Sequence, residues 1–202
     1  MDLILVRHGQ TDSNLNLKYC GQTDSELNET GRKQVADSAK RLYNRLEGKC
    51  NGIYSSYLRR AFDSAKIIAS TLGLVESEIV KTGEILEANF GIFEDLTYLE
   101  IMQKYPNEFK MWKDNWEEYV IENGESNNMV YDRAGRFFKK FIDTHDSGVY
   151  IFVTHMGVIS HAISSMLELG IKATWRFRVD NAGIAVVRVN KDRYCYLTAL
   201  NA

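Results

Sequence analysis

Apolar runs and apolar stripes alternate along this chain. Leu3 to Val6 lack the polar alternation of a half-solvated strand, which predicts a strand buried on both faces. Thr30 to Leu46 follows with Val35, Ala39, Leu42 and Leu46 on one stripe, an amphipathic helix that Gly48 stops. A short strand at Ile53 to Ser55, a helix from Leu58 to Leu72 and a strand at Ile79 to Thr82 continue a βαβ grammar. A helix over Asn128 to His145, a strand over Val149 to Thr154 and a helix over Val158 to Leu169 come next. Gly183 to Val189 and Tyr194 to Leu200 predict a hairpin across Asn190-Lys191-Asp192. The fold class expected is α/β, with one domain over residues 1–202. It should be a three-layer αβα sandwich around a mostly parallel sheet, with an antiparallel edge from the C-terminal hairpin. Between Thr97 and Asn123 lies a helical insertion, read as a lid, whose Pro106 divides a short helix from a longer one. Trp112, Trp116 and Tyr119 share one helical face there. Packing as a satellite core is the favoured reading of that stripe, and contact with a bulky apolar part of a ligand the other.

Chemistry enters at the strand ends. The first strand runs into Arg7-His8-Gly9 and the later one into Thr154-His155-Met156-Gly157. One strand-end histidine is often an ordinary hydrogen-bonded residue, but two in the same grammar point to a shared site. If the strands are neighbours in a parallel sheet, both imidazoles reach the crevice at its carboxyl edge, where open α/β sheets bind ligands. Arg7 offers a planar fork of donors suited to phosphate oxygens. The helix after His155 would point its amino-terminal dipole at a bound anion. His145, in a polar loop, and His161, one turn into a helix, have no assignable partner in the sequence.

Composition narrows the field. Net charge is −2 with basic and acidic residues interspersed, so no basic stripe advertises nucleic acid or a membrane surface. The expected partner is a small phosphorylated metabolite, and the expected state a monomer or homodimer. The leading apolar run is too short for a signal peptide or a membrane span, so a cytoplasmic setting is expected. Three widely spaced cysteines, Cys20, Cys50 and Cys195, read as free thiols. Without His-x-His or Asp-x-His spacing, neither a metal nor another cofactor is expected.

Arg7-His8-Gly9-x-Thr11-x-x-Asn14 resembles the signature of the histidine phosphatase superfamily, the phosphoglycerate-mutase-like fold. Ser55-Ser-Tyr-Leu58-Arg59-Arg60-Ala61 is similar to the segment carrying that family's second phosphate-binding arginine, which falls on Arg60. Ile85-Leu-Glu87-Ala-Asn-Phe90-Gly91-x-x-Glu94 resembles the proton-donor segment, Gly124-Glu125-Ser126 the turn before its long helix, and Val153-Thr154-His155-x-Gly157 its second-histidine segment. The motifs stand in the family's order across nearly the whole chain. The resemblance implies His8 as nucleophile, Glu87 as general acid and base, and Arg7, Arg60 and a protonated His155 around the phosphate. It also implies substrate contacts from Thr11, Asn14, Gly21, Met156 and Asn181, although Asn181 equally reads as a turn before the hairpin.

Within the family, Ala88-Asn89-Phe90 replace the Arg-His-Tyr of glycolytic mutases. Tyr19-Cys20-Gly21-x-x-Asp24, the Trp-rich insertion and Trp175-Arg-Phe-Arg-Val-Asp180-Asn181 resemble its α-ribazole 5′-phosphate phosphatase branch. A broad-specificity phosphatase of the same fold is the alternative, with a phosphoglycerate mutase, a non-catalytic phosphate-binding regulator and a metallophosphatase ranked below it. Three departures stand out: Met156 where Gly or Ser is usual, Ser160 where arginine is common, and Asp95 where Gly often follows the second glutamate. Met156 is expected to narrow the pocket or to alter the turn that holds His155, and Asp95 to repel an acidic substrate.

Overall fold

The computed structural model describes residues 1–202. Four strands, β1 (Asp2–Arg7), β2 (Gly52–Ser56), β3 (Ile79–Thr82) and β4 (Val149–Thr154), run parallel. β5 (Ile184–Val189) and β6 (Cys195–Leu200) add an antiparallel edge, giving the order β3-β2-β4-β1-β5-β6. β1 sits between β4 and β5, with Arg7 opposite Thr154 and Val6 opposite Ile184.

That central place explains the apolar run, since a strand covered on both faces has no position for a polar side chain. Leu3 and Leu5 pack in one core with residues of α6 (Asn127–Thr144) and α7 (Met156–Met166). Ile4 and Val6 pack on the other face with α2 (Glu29–Leu46) and α3 (Arg59–Thr71). The three-layer arrangement therefore follows from the alternation of β1 itself.

Helix starts lie one or two residues from the expected ones, whereas the end of α2 falls on the expected Leu46. α7 begins at Met156, directly after His155, two residues before the apolar stripe becomes visible. α2 ends at Leu46, with Glu47 at φ 49° and Gly48 at φ 78° turning the chain away through the left-handed region. A one-turn helix α1 (Asp12–Leu15) and a 3-10 segment over Ile171–Arg176 have too few residues for any periodic signal.

The insertion forms α4 (Tyr98–Lys104) and α5 (Pro106–Asp114), with Pro106 at the first helical position of α5, where its missing N–H costs no hydrogen bond. Phe93, Ile101, Phe109 and Ile121 make a small core beneath it, with Trp112 and Tyr119 packed on its edge. Trp116 departs from that company and lies beside Trp175, ring centroids 6.3 Å apart. No helix is long and apolar enough to cross a membrane.

Candidate active site

Because β1 and β4 are paired in register, His8 and His155 leave the sheet side by side, ring centroids 5.1 Å apart and steeply inclined at 61°. His8 Nδ1 lies 2.7 Å from Gly9 O. A carbonyl only accepts, so Nδ1 carries the proton and Nε2 keeps its lone pair. His155 Nε2 meets Ser56 Oγ at 2.9 Å, a partner supplied by the end of neighbouring β2. His155 Nδ1 and Arg7 Nε are buried without a protein hydrogen bond. Two such orphans at adjacent strand ends are what a polar ligand site leaves behind.

Burial and the Arg60 and Arg7 guanidinium groups push both histidines well below the usual imidazole range. Without a bound anion, the groups around His155 therefore favour its neutral form. Its protonation needs a negative charge brought from outside.

The two arginines are held differently. Arg7 Nη1 donates to Val179 O at 2.9 Å, tying β1 to the segment before β5. Arg60, 1% exposed, donates to Thr23 O at 2.9 Å, Cys20 O at 3.0 Å and Gly21 O at 2.5 Å. The loop 20–23 owes its shape to Glu94. That carboxylate accepts from Gly21 N, Gln22 N, Thr23 N and Thr23 Oγ1 at 3.1, 2.8, 3.0 and 2.6 Å, and from Phe90 N at 3.0 Å. Gly21 is required by closeness: a Cβ there would stand 2.1 Å from Ala88 O.

Glu87 lies in irregular backbone gripped from both sides. Thr154 Oγ1 donates to Ile85 O at 2.6 Å, and Arg133 Nη1 to Glu84 O and Leu86 O at 3.0 and 2.9 Å. Glu125, paired with Arg133 at 3.1 Å, accepts from Asn89 N at 2.9 Å. Thus the Gly-Glu-Ser turn clamps the Glu87 segment, while Ser126 caps α6 by accepting from Met129 N. The Glu87 carboxylate accepts from Ala88 N at 3.0 Å and Gly157 N at 3.4 Å. Gly157 has room for it only because it lacks a Cβ, which would lie 2.7 Å from Glu87 Oε1. Burial raises the Glu87 pKa, partly opposed by those amides and by Arg60 and Arg7.

A cavity of about 940 Å³ opens over these groups. Arg7, His8, Asn14, Glu87, Met156 and Asn181 line it. Arg60 and His155 are buried behind that lining, and Thr11 and Gly21 are not on it. Thr11 instead caps α1, its hydroxyl accepting from Asn14 N while Asn14 Oδ1 accepts from Thr11 N. Asn181 Nδ2 donates to Asn14 Oδ1 at 3.0 Å. Asp95 is exposed, away from the lining, so its expected repulsion of substrate has no structural basis. Ser160 bonds Met156 O and Phe177 O, a structural role behind the wall. Sequence reasoning missed Ser56, Glu94 as the organiser of loop 20–23, and His161, which lines the cavity. A serine preceding the Leu-x-Arg segment was the available signal for Ser56.

The sheet order, the paired strand-end histidines and the clamped glutamate define a histidine-centred α/β phosphatase architecture. Residues 3–202 match the histidine phosphatase superfamily (branch 1), and the chain belongs to that superfamily. It is 31% identical over 191 residues to phosphoserine phosphatase 1 of Hydrogenobacter thermophilus, covering 95% of this chain and 88% of that protein. It is 27% identical to the adenosylcobalamin/α-ribazole phosphatase of Escherichia coli, covering 100% and 96%. The crystal structure of the α-ribazole phosphatase from Shigella flexneri superposes with a TM-score of 0.90 at 25% identity, covering 100% of this chain and 96% of that one. The protein is a phosphatase.

Proposed function

We propose that the protein hydrolyses phosphomonoesters through a phosphohistidine at His8, without a metal, and that its substrate is α-ribazole 5′-phosphate, in assembly of the cobalamin lower ligand. The carrying observation is the His8 tautomer: with Nδ1–H bonded to Gly9 O, the Nε2 lone pair is the nucleophile, in a cavity shared with Glu87. Nε2 attacks phosphorus, the ester P–O bond breaks, and protonated Glu87 gives its proton to the departing oxygen. The Glu87 carboxylate then takes a proton from water, whose oxygen attacks phosphorus as the P–N bond breaks. Arg7 Nε and His155 Nδ1, buried and without protein partners, are the donors for the equatorial oxygens. The phosphate dianion raises the His155 pKa and draws a proton onto it. Arg60, locked to loop carbonyls, acts through its field on both histidines. Asn14 and Asn181 present amides at the cavity wall, whereas Thr11 and Gly21 act through backbone shape.

The substrate reading is supported by the α-ribazole phosphatase relatives and by a cavity far larger than a phosphoserine needs, walled by Trp112, Trp116 and Trp175. The phosphoserine phosphatase relative, at 31% identity, supports a second reading on a smaller ester. A small phosphorylated metabolite in the cytoplasm is the setting either reading takes.

The test is kcat/KM for phosphate release in EDTA on α-ribazole 5′-phosphate, phosphoserine, 3-phosphoglycerate, fructose 2,6-bisphosphate and an aryl phosphate. A preference of ~100-fold for the riboside, about 2.7 kcal/mol, is the expected result. Comparable rates on all would make this a broad phosphatase, and none on any a phosphate-binding regulator. Loss in EDTA with recovery on zinc or manganese would replace the phosphohistidine route with a metal-assisted one. His8→Ala should remove activity by roughly 10³-fold or more and abolish the acid-labile phosphoenzyme seen by rapid quench.

A further inference from the structure

One side of the cavity is built from groups the chemistry above does not use. α7 starts beside Glu87, where Gly157 N donates to the carboxylate. Four residues on, one helical turn or roughly 6 Å along the axis, His161 reaches the same cavity. It is 1% exposed, with Nδ1 bonded to Thr174 Oγ1 at 3.1 Å and no protein hydrogen bond at Nε2. Burial, then the Arg133 charge, lowers its pKa to about 4, so the ring is uncharged at neutral pH. Trp175 lies against it, centroids 5.7 Å apart at 62°. Trp116 faces Trp175 in turn and is pinned from behind by Asn127 Nδ2, which donates to its carbonyl at 2.7 Å. Trp175 is 51% exposed although it borders a cavity. A half-solvated indole and an imidazole nitrogen that meets the cavity with no protein partner are both groups that a ligand can cover or pair.

We propose that Trp116, Trp175 and His161 form a subsite for a planar nitrogen heterocycle held one sugar ring away from the phosphate. The indoles supply a face for stacking, and the imidazole, as the tautomer whose Nδ1 accepts from the Thr174 hydroxyl, donates from Nε2 to an unsubstituted ring nitrogen of the heterocycle. One helical turn between the Glu87 contact and His161 is about the reach of a pentose. Phosphoserine and phosphoglycerate carry no planar ring beyond that distance. The substrate class is therefore the 5′-phosphates of N-heterocyclic pentosides, purine nucleotides included. This deepens the reading of the cavity as a phosphatase site and rests on it.

The test compares kcat/KM for benzimidazole riboside 5′-phosphate, adenosine 5′-monophosphate and ribose 5-phosphate in wild type, Trp175→Ala and His161→Gln. Wild type should favour both heterocyclic substrates over ribose 5-phosphate by about 30-fold or more, in line with the worth of one stacked base. Each substitution should cut that ratio about tenfold, chiefly through KM. In parallel, the phosphate-free benzimidazole riboside should quench tryptophan fluorescence in wild type and not in Trp175→Ala. Ratios near one in wild type, or equal losses on all three substrates in the variants, would overturn the subsite while leaving the phosphatase standing. Quenching without hydrolysis of any ester would instead overturn the hydrolytic reading and keep the subsite. Trp175 is half exposed, so its truncation tests the idea even if His161→Gln does not fold.

Discussion

A carboxyl that burial keeps protonated above its ordinary range is the residue-scale key to Glu87. As an acid it is active below its raised pKa, so kcat/KM should fall as pH climbs through that value. His8, held well below 6.5, stays neutral into mild acid, so the optimum should be acidic. Glu87→Gln should lower kcat/KM by roughly 10²- to 10⁴-fold and remove the alkaline limb of the pH profile. Stability moves the other way. A folded pKa raised above the unfolded one favours the fold at low pH and weakens it as pH rises past about 4.5. The Tm of Glu87→Gln should therefore exceed wild type at pH 7 and match it at pH 4. Asp95 makes a separate case. Its φ of 61° lies in the left-handed region, which is why a glycine is common after the second glutamate. Asp95→Gly should raise stability by roughly 1 kcal/mol, read from a urea midpoint. The departure was legible in sequence, but its reason was a dihedral that no residue pattern displays.

Among the elements, the loop 20–23 couples the two ends of the site. Glu94 gathers its amide groups, and the carbonyls so turned outward hold Arg60. Glu94→Gln replaces an acceptor-only carboxylate with an amide that presents N–H to N–H. The loop then loosens and Arg60 lowers the His8 pKa less. The expected outcome is a tenfold or greater drop in kcat/KM on the order of one lost charge-assisted bond, with the acid limb displaced upward. An unchanged acid limb would confine Glu94 to loop stability. The motif around Glu94 was visible in the chain; its partners were not, because Gly21 and Glu94 are remote in sequence and meet only once the sheet forms. The Trp stripe is divided for a similar reason, Trp112 and Tyr119 packing on the small core as expected and Trp116 not. Helical spacing put Trp112, Trp116 and Tyr119 on one face, but α5 stops at Asp114, so Trp116 is free to turn to Trp175.

Taken whole, the molecule buries three histidines in neutral form, and this sets its response to acid. His8, His155 and His161 all have folded pKa values below 6.5, the last at about 4. Their unfolded counterparts take up protons first, so stability present above pH 6.5 should be lost as pH falls, for His161 across 6.5 to about 4. Urea midpoints at pH 7, 6 and 5 should decline in wild type and less steeply in His161→Phe. The layered sheet was legible because β1, β2 and β4 are short and each is followed by a helix, while β5 and β6 make a hairpin. Strand order was legible only in part. Repetition of the strand-His-Gly grammar pointed to one crevice on condition that β1 and β4 are neighbours, but nothing in the chain said that β5 would take the other side of β1.

That placement makes the time of synthesis matter. Both partners of β1 are made late, β4 from Val149 and β5 from Ile184, long after His8 has been synthesised. At ordinary elongation rates the histidine waits on the order of ten seconds for its neighbour strand. Throughout that interval Leu3 to Val6 is an unpaired apolar ribbon, the kind of segment nascent-chain chaperones hold. A polysome carrying this message should thus hold unfinished chains that bind chaperone and release no phosphate, with activity appearing only once translation has passed β5.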